Sequence, residues 1–123
     1  MANLFAKLTR CSDLLAITWA LTIAVLSLTP LQRLPLATPF SDKLNHFAAY
    51  ALLGLLAYLA RSGRAPWLLW PLLLTLYGGL IELLQPYVNR HAEWLDLAAN
   101  GLGALAGVLL ARRLQVMITG GST

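Results

Sequence analysis

The feature that most constrains this chain is a series of four apolar runs, separated by short segments that hold nearly all of its charge. Residues 14–32 carry no charged side chain over 19 positions. At about 1.5 Å per residue, such a helix spans the roughly 30 Å hydrocarbon core of a bilayer. The later runs have uncharged cores of 14, 17 and 15 residues, at 47–60, 65–81 and 97–111. Each reaches spanning length only by including polar residues at one end.

Composition also indicates a membrane environment. Of the 123 residues, 59% are hydrophobic and 11% are charged, whereas a soluble domain carries about 25% charged residues. A soluble core of this size cannot bury so much apolar surface. We therefore predict an all-α polytopic membrane protein with a single domain over residues 1–123. Its four antiparallel transmembrane helices are expected at residues 14–32, 42–60, 66–85 and 95–111.

The Lys and Arg residues predict the orientation, because cytoplasmic loops are enriched in these residues. Six fall on the side of the two termini: Lys7, Arg10, Arg61, Arg64, Arg112 and Arg113. Three fall on the other side: Arg33, Lys43 and Arg90. Both termini are therefore expected in the cytoplasm, and the loops at 30–42 and 86–94 outside. In a bacterium this describes a multi-pass protein of the cytoplasmic (inner) membrane, with its outer loops facing the periplasm or cell exterior.

The placement of the basic residues also bears on partners. The formal net charge is +4, but the basic residues flank the apolar runs instead of clustering on one face, as they do in nucleic-acid binders. The expected partner is the lipid bilayer and not nucleic acid. Cys11 is the only cysteine, which excludes an intramolecular disulfide.

Polar residues gather at the outer ends of the last three helices. Ionisable groups at this depth cost several kcal/mol unless paired, so they are candidates for a functional site. Spacings of three and four residues place the members of each helix on one face, and we expect the three helices to line one pocket. The set comprises Lys43, His46 and Tyr50; Glu82 and Gln85; Asp96 and Asn100; and, beside them, Asp42 and Arg90.

Two interpretations of this set remain open. In the first, Glu82, Asp96 and His46 are catalytic candidates, because buried carboxylates and imidazoles can act as general acids or bases. Lys43 and Arg90 would hold a phosphate or pyrophosphate such as a polyprenyl-phosphate lipid presents. The remaining candidates for substrate binding are Asp42, Tyr50, Gln85 and Asn100. In the second, the charged residues only form ion pairs that hold three helices together.

The histidine spacing and the glycine pattern bear on metal binding and on helix packing. His46 and His91 form no H-x-x-x-H or E-x-x-H pair, so neither a metal site nor another cofactor is predicted. Gly103 and Gly107 form a small-xxx-small pattern that favours close helix packing. We expect it to pack the fourth helix within the bundle, with Asp96 and Asn100 facing the second and third helices.

The same residues resemble two sequence blocks of the VanZ-like membrane proteins. The resemblance covers roughly residues 41–107. The first block is D-K-L-N-H-F at 42–47, followed by Tyr50 and Gly54. The second is E-x-x-Q at 82–85, Arg90, and then Asp96, Asn100, Gly103 and Gly107.

This resemblance implies a role in the bacterial cell envelope, since the founding member is associated with resistance to the glycopeptide teicoplanin and relatives with surface polysaccharide. The expected function is binding a lipid-linked or glycan precursor at the outer face, and the resemblance leaves open whether the precursor is also modified or moved. Two alternatives are a non-catalytic subunit of a larger membrane enzyme or transporter complex, and a small ion-coupled carrier that works as a homo-oligomer. The residues do not decide whether a reaction is catalysed.

Overall fold

A computed structural model of the chain describes residues 2–29, 39–61, 66–88, 90 and 92–119. These residues form four α-helices and one short 3-10 helix, and no strand occurs among them. The predicted all-α class is confirmed. Asn89, His91 and the predicted loop residues 30–38 and 62–65 lie outside the described residues. The helices are α1 (Ala2–Ser27), α2 (Pro39–Arg61), α3 (Leu69–Leu84) and α4 (Trp94–Thr119), and the 3-10 helix is Gln85–Val88.

The first and last helices, α1 and α4, are longer than their apolar runs predicted. The first helix begins at Ala2 and includes the basic leader, and α4 continues past Arg112 to Thr119. Charged residues end an apolar span but not a helix, because Lys and Arg are good helix formers. The end of α1 at Ser27 precedes Pro30, which disfavours helical conformation in the residue before it.

The third helix is the shortest of the four. It has 16 residues, or about 24 Å at about 1.5 Å per residue. Pro71 lies in its first turn, where the missing backbone N–H has no helical partner to lose. Two helices are long and apolar enough to cross a membrane, judged by length and composition alone: α1 over Arg10–Ser27 and α4 over Trp94–Met117.

Consecutive helices run antiparallel, and α2 has the most extensive contact with α4. The indole of Trp19 in α1 donates to the carbonyl of Ala49 in α2 at 2.8 Å, and the Tyr77 hydroxyl of α3 donates to the carbonyl of Ala20. At one end of the α2–α4 contact, Lys43 of α2 pairs with Asp96 of α4. At the other end, Tyr58 of α2 packs in a buried cluster with Val108 and Ala111 of α4. The two helices are therefore parallel, and their N-terminal turns lie side by side.

Glycines bring the α2 and α4 backbones into direct contact. A Cβ on Gly103 would overlap the backbone of Phe47, and one on Gly107 would overlap that of Ala51. On the α2 side, a Cβ on Gly54 would lie 2.5 Å from the carbonyl oxygen of Ala104. The expectation that Gly103 and Gly107 pack α4 inside the bundle is confirmed.

We predict that Gly107→Ala destabilises the protein. Its methyl group meets backbone that cannot move aside, and overpacking of this kind costs about 1–3 kcal/mol. Gly79→Ala is the matched control, because the nearest atom to its new Cβ is a Leu97 methyl at 3.8 Å. Thermal unfolding in detergent should show a lower Tm for Gly107→Ala and an unchanged or higher Tm for Gly79→Ala. Equal Tm values for the two variants would contradict the close contact.

Candidate functional site

Lys43 joins the N-terminal turn of α2 to that of α4. Its ammonium donates to Oδ1 of Asp96 at 2.5 Å and to Glu93, and lies 3.6 Å from Oδ2 of Asp42. Asp96 is buried, with 5% of its surface exposed. A buried carboxylate requires such a cation, because removing the charge from water without a partner is strongly unfavourable. This contact orients Asp96 towards α2, as the sequence predicted.

His46 and Asn100 form the next layer, one turn deeper. Nδ1 of His46 is 2.9 Å from Oδ1 of Asn100, which is almost fully buried at 1% exposure. On the other side of the ring, Nε2 lies 3.6 Å from Oδ2 of Asp96 and 3.9 Å from Oδ1 of Asp42. Asn100 also approaches α3, since a Cβ on Gly78 would lie 2.9 Å from its Nδ2 atom. Asp96 and Asn100 thus lie on the face of α4 that is turned towards its neighbours.

Glu82 stabilises the start of α4 from the neighbouring helix. Its Oε2 accepts the backbone N–H of Glu93 at 3.1 Å, immediately before α4 begins. A carboxylate at this position satisfies an unpaired N–H and lies near the positive end of the helix dipole. Glu82 is buried. Its partner Glu93 also contacts Lys43 through its side chain, so Glu93 links Glu82 to Lys43.

Gln85 and Arg90 face the end of α1 instead. Nε2 of Gln85 donates to the Ser27 carbonyl at 3.1 Å, and Nη1 of Arg90 donates to the Thr29 carbonyl at 3.3 Å. Oε1 of Gln85 is buried and has no hydrogen-bond partner among the described residues. Both residues belong to the same end of the bundle, and Arg90 lines a cavity together with Asp42 and His46.

Two cavities open beside the cluster, where the sequence predicted one pocket. The first, of about 530 Å³, lies between α1 and α2, and its lining includes Asp42, His46, Tyr50 and Arg90. The second, of about 590 Å³, lies between α3 and α4, and Glu82 and Glu93 are its charged lining residues. His46 therefore lines the first cavity and Glu82 the second, and the single shared pocket stays a prediction.

Sequence reasoning missed two features of this site. Glu93 is not among the sequence candidates, but its side chain contacts Lys43 and its backbone N–H donates to Glu82. Asp42 and His46 are four residues apart, and their D-x-x-x-H spacing is a signal that a search for H-x-x-x-H and E-x-x-H overlooks. Together with Asp96 they place three potential ligand atoms within 4.8 Å of one another.

Spanning-length apolar helices and a polar cluster at one end of the helix assembly define a small helical membrane protein. Comparison with known proteins identifies the family within this class. A family model described as VanZ/LLP1 matches residues 3–116. The chain therefore belongs to the VanZ-like family. No curated protein and no solved structure matches it.

We predict that Lys43→Met lowers the stability of the protein by about 1–3 kcal/mol, because it leaves the buried Asp96 carboxylate without its cation. Adding Asp96→Asn should recover part of the loss by removing the unpaired charge. Lys7→Met, an exposed lysine in α1, is the control for charge loss alone. Thermal unfolding in detergent of the wild type, the single variants Lys43→Met and Asp96→Asn, and the double variant measures the coupling. Additive losses in the double variant would show that the two residues do not stabilise each other.

Proposed function

We propose that this protein crosses the bacterial cytoplasmic membrane four times and binds the head group of a lipid-linked envelope precursor at the outer face. The observation that carries this proposal is the shape and lining of the cavity between α1 and α2. Its charged lining residues Asp42 and Arg90 lie with His46 and Ser27 where α1 ends and α2 begins. A ligand with one apolar and one polar part matches this division.

The apolar part of the cavity extends along α1. From Ser27 to Trp19 the helix rises about 12 Å, at about 1.5 Å per residue. Ile23 and Leu26 of α1 and Leu52 of α2 line this stretch. The apolar walls suit a hydrocarbon chain, and burial of each CH₂ group there contributes about 0.8 kcal/mol.

The polar end holds one cation suited to a phosphate. Arg90 is the only Lys or Arg among the described residues that line this cavity. A guanidinium has five N–H donors, and the Thr29 carbonyl accepts from Nη1. Arginine can bind a phosphate through two parallel hydrogen bonds. Lys43, the other candidate cation, is engaged by carboxylates, so the proposal assigns the phosphate contact to Arg90.

The orientation and the family favour an envelope precursor as the ligand. The Lys and Arg distribution predicts that the polar end lies on the outer side, where a polyprenyl-phosphate-linked precursor presents its head group after crossing the membrane. Association of the VanZ-like family with glycopeptide resistance and surface polysaccharide fits such a ligand. The proposal comprises binding and assigns no catalytic role to Glu82, His46 or Asp96.

Binding of a polyprenyl phosphate to the purified protein tests this function. In native mass spectrometry from detergent, the phosphate should bind more tightly than the uncharged polyprenol of equal chain length. Arg90→Gln should weaken phosphate binding roughly 10–150-fold, since one lost charge-assisted hydrogen bond is worth about 1.5–3 kcal/mol. Arg113→Gln, an exposed arginine at the opposite end of α4, is the matched control. Equal binding of phosphate and polyprenol would refute the proposed head-group site.

The proposed orientation has its own test. In a Cys11→Ser background, Ala92→Cys should react with a membrane-impermeant thiol reagent in intact cells. Arg113→Cys should react only after the cells are opened. Both positions are exposed side chains, so access to the reagent depends on the side of the membrane. The reverse pattern would place the polar cluster in the cytoplasm.

A further inference from the structure

Asp42 and Asp96 each contact two residues, Lys43 and His46, through different carboxylate oxygens. Asp96 directs Oδ1 to the Lys43 ammonium and Oδ2 to Nε2 of His46, at 2.5 and 3.6 Å. Asp42 directs Oδ2 to Lys43 and Oδ1 to the same Nε2 atom, at 3.6 and 3.9 Å. Lys43 therefore neutralises one side of the carboxylate pair. On the other side, two carboxylate oxygens and a ring nitrogen converge.

The orientation of the His46 ring is set by its opposite nitrogen. The carbonyl oxygen of Asn100 can only accept a hydrogen bond, so Nδ1 at 2.9 Å carries the proton. A neutral imidazole then presents the lone pair of Nε2 to the two carboxylates. Asn100 is almost fully buried, so this hydrogen bond is shielded from water. It corresponds to the outer partner that commonly orients a metal-binding histidine.

We propose that Asp42, His46 and Asp96 bind a divalent metal ion with affinity for both imidazole and carboxylate, for which Zn²⁺ is the probe. Their ligand atoms lie within 4.8 Å of one another. Zinc bonds such atoms at about 2.0–2.2 Å in tetrahedral geometry, so two ligands of one ion lie roughly 3.3–3.6 Å apart. Nε2 of His46 is already 3.6 Å from Oδ2 of Asp96 and 3.9 Å from Oδ1 of Asp42. The two carboxylates must approach each other by about 1 Å, which rotation of the partly exposed Asp42 side chain can supply. The mixed nitrogen and oxygen set favours zinc over calcium or magnesium, which prefer oxygen.

The site is accessible and has room for further ligands. Asp42 and His46 line the α1–α2 cavity, so the remaining coordination positions of the ion face that space. Arg90 lines the same cavity. If the proposed function holds, the ion and Arg90 together bind the phosphate of the head group. This second step depends on the proposed function, but ion binding itself does not.

Zinc binding to lipid-free protein, purified in detergent without a polyhistidine tag, tests the site. Isothermal titration after treatment with chelator should show one equivalent of Zn²⁺ per chain. Asp42→Asn should weaken binding at least tenfold and His46→Gln should abolish it. Asn100→Ala should weaken it about 10–100-fold, as loss of an outer partner does. Glu93→Gln is the matched control, since it changes a carboxylate beside Lys43 that lies outside the three ligands.

Two measurements keep the result interpretable. Zinc should raise the Tm of the wild-type protein and of Glu93→Gln, and leave that of Asp42→Asn unchanged. Asp42 is partly exposed, so this variant is the one that folding defects affect least. Equal zinc affinity in wild type and Asp42→Asn would overturn the proposal, as would no binding to the wild type. Such a result would leave the Arg90→Gln lipid test unaffected, because that test contains no added metal.

Discussion

The close contact between the α2 and α4 backbones determines where the charged groups of this protein lie. Because Gly103 and Gly107 allow the two parallel helices to touch, their N-terminal turns are neighbours, and both present the positive end of a helix dipole to the same region. Two adjacent positive ends repel each other unless negative charge lies near them. Asp42 and Asp96 occupy the first turns of α2 and α4, so the parallel packing itself explains why carboxylates collect at this end.

The described charged residues at this end are mainly acidic. They comprise four carboxylates (Asp42, Glu82, Glu93 and Asp96) and the cations Lys43 and Arg90. Lys43 contacts three of these carboxylates directly. The positive ends of the α2 and α4 dipoles lie at the same place and offset further negative charge.

Much of this arrangement could be predicted from local patterns. Hydrophobic runs identified the helices, and spacings of three and four residues identified the inward faces of α2 and α4, including the glycines. Helix ends were less predictable, because helix propensity continues past Arg112 while the apolar pattern stops. Patterns within one helix also could not show that Glu93 meets Lys43, because that relation depends on which helices touch. The spacing of Gly103 and Gly107 predicted close packing of α4 but did not identify α2 as the neighbour that they touch.

The attachment of α1 has a consequence for how proteins of this family can diverge. Three side chains donate hydrogen bonds to main-chain carbonyls in α1 or just after its end. Tyr77 donates to Ala20, Gln85 to Ser27 and Arg90 to Thr29. A carbonyl acceptor is present whatever side chain the position carries. Substitutions in α1 can therefore accumulate without loss of these three hydrogen bonds. Since α1 also forms one wall of the α1–α2 cavity, its side chains can change the shape of that cavity while the charged groups of α2 and α4 stay the same.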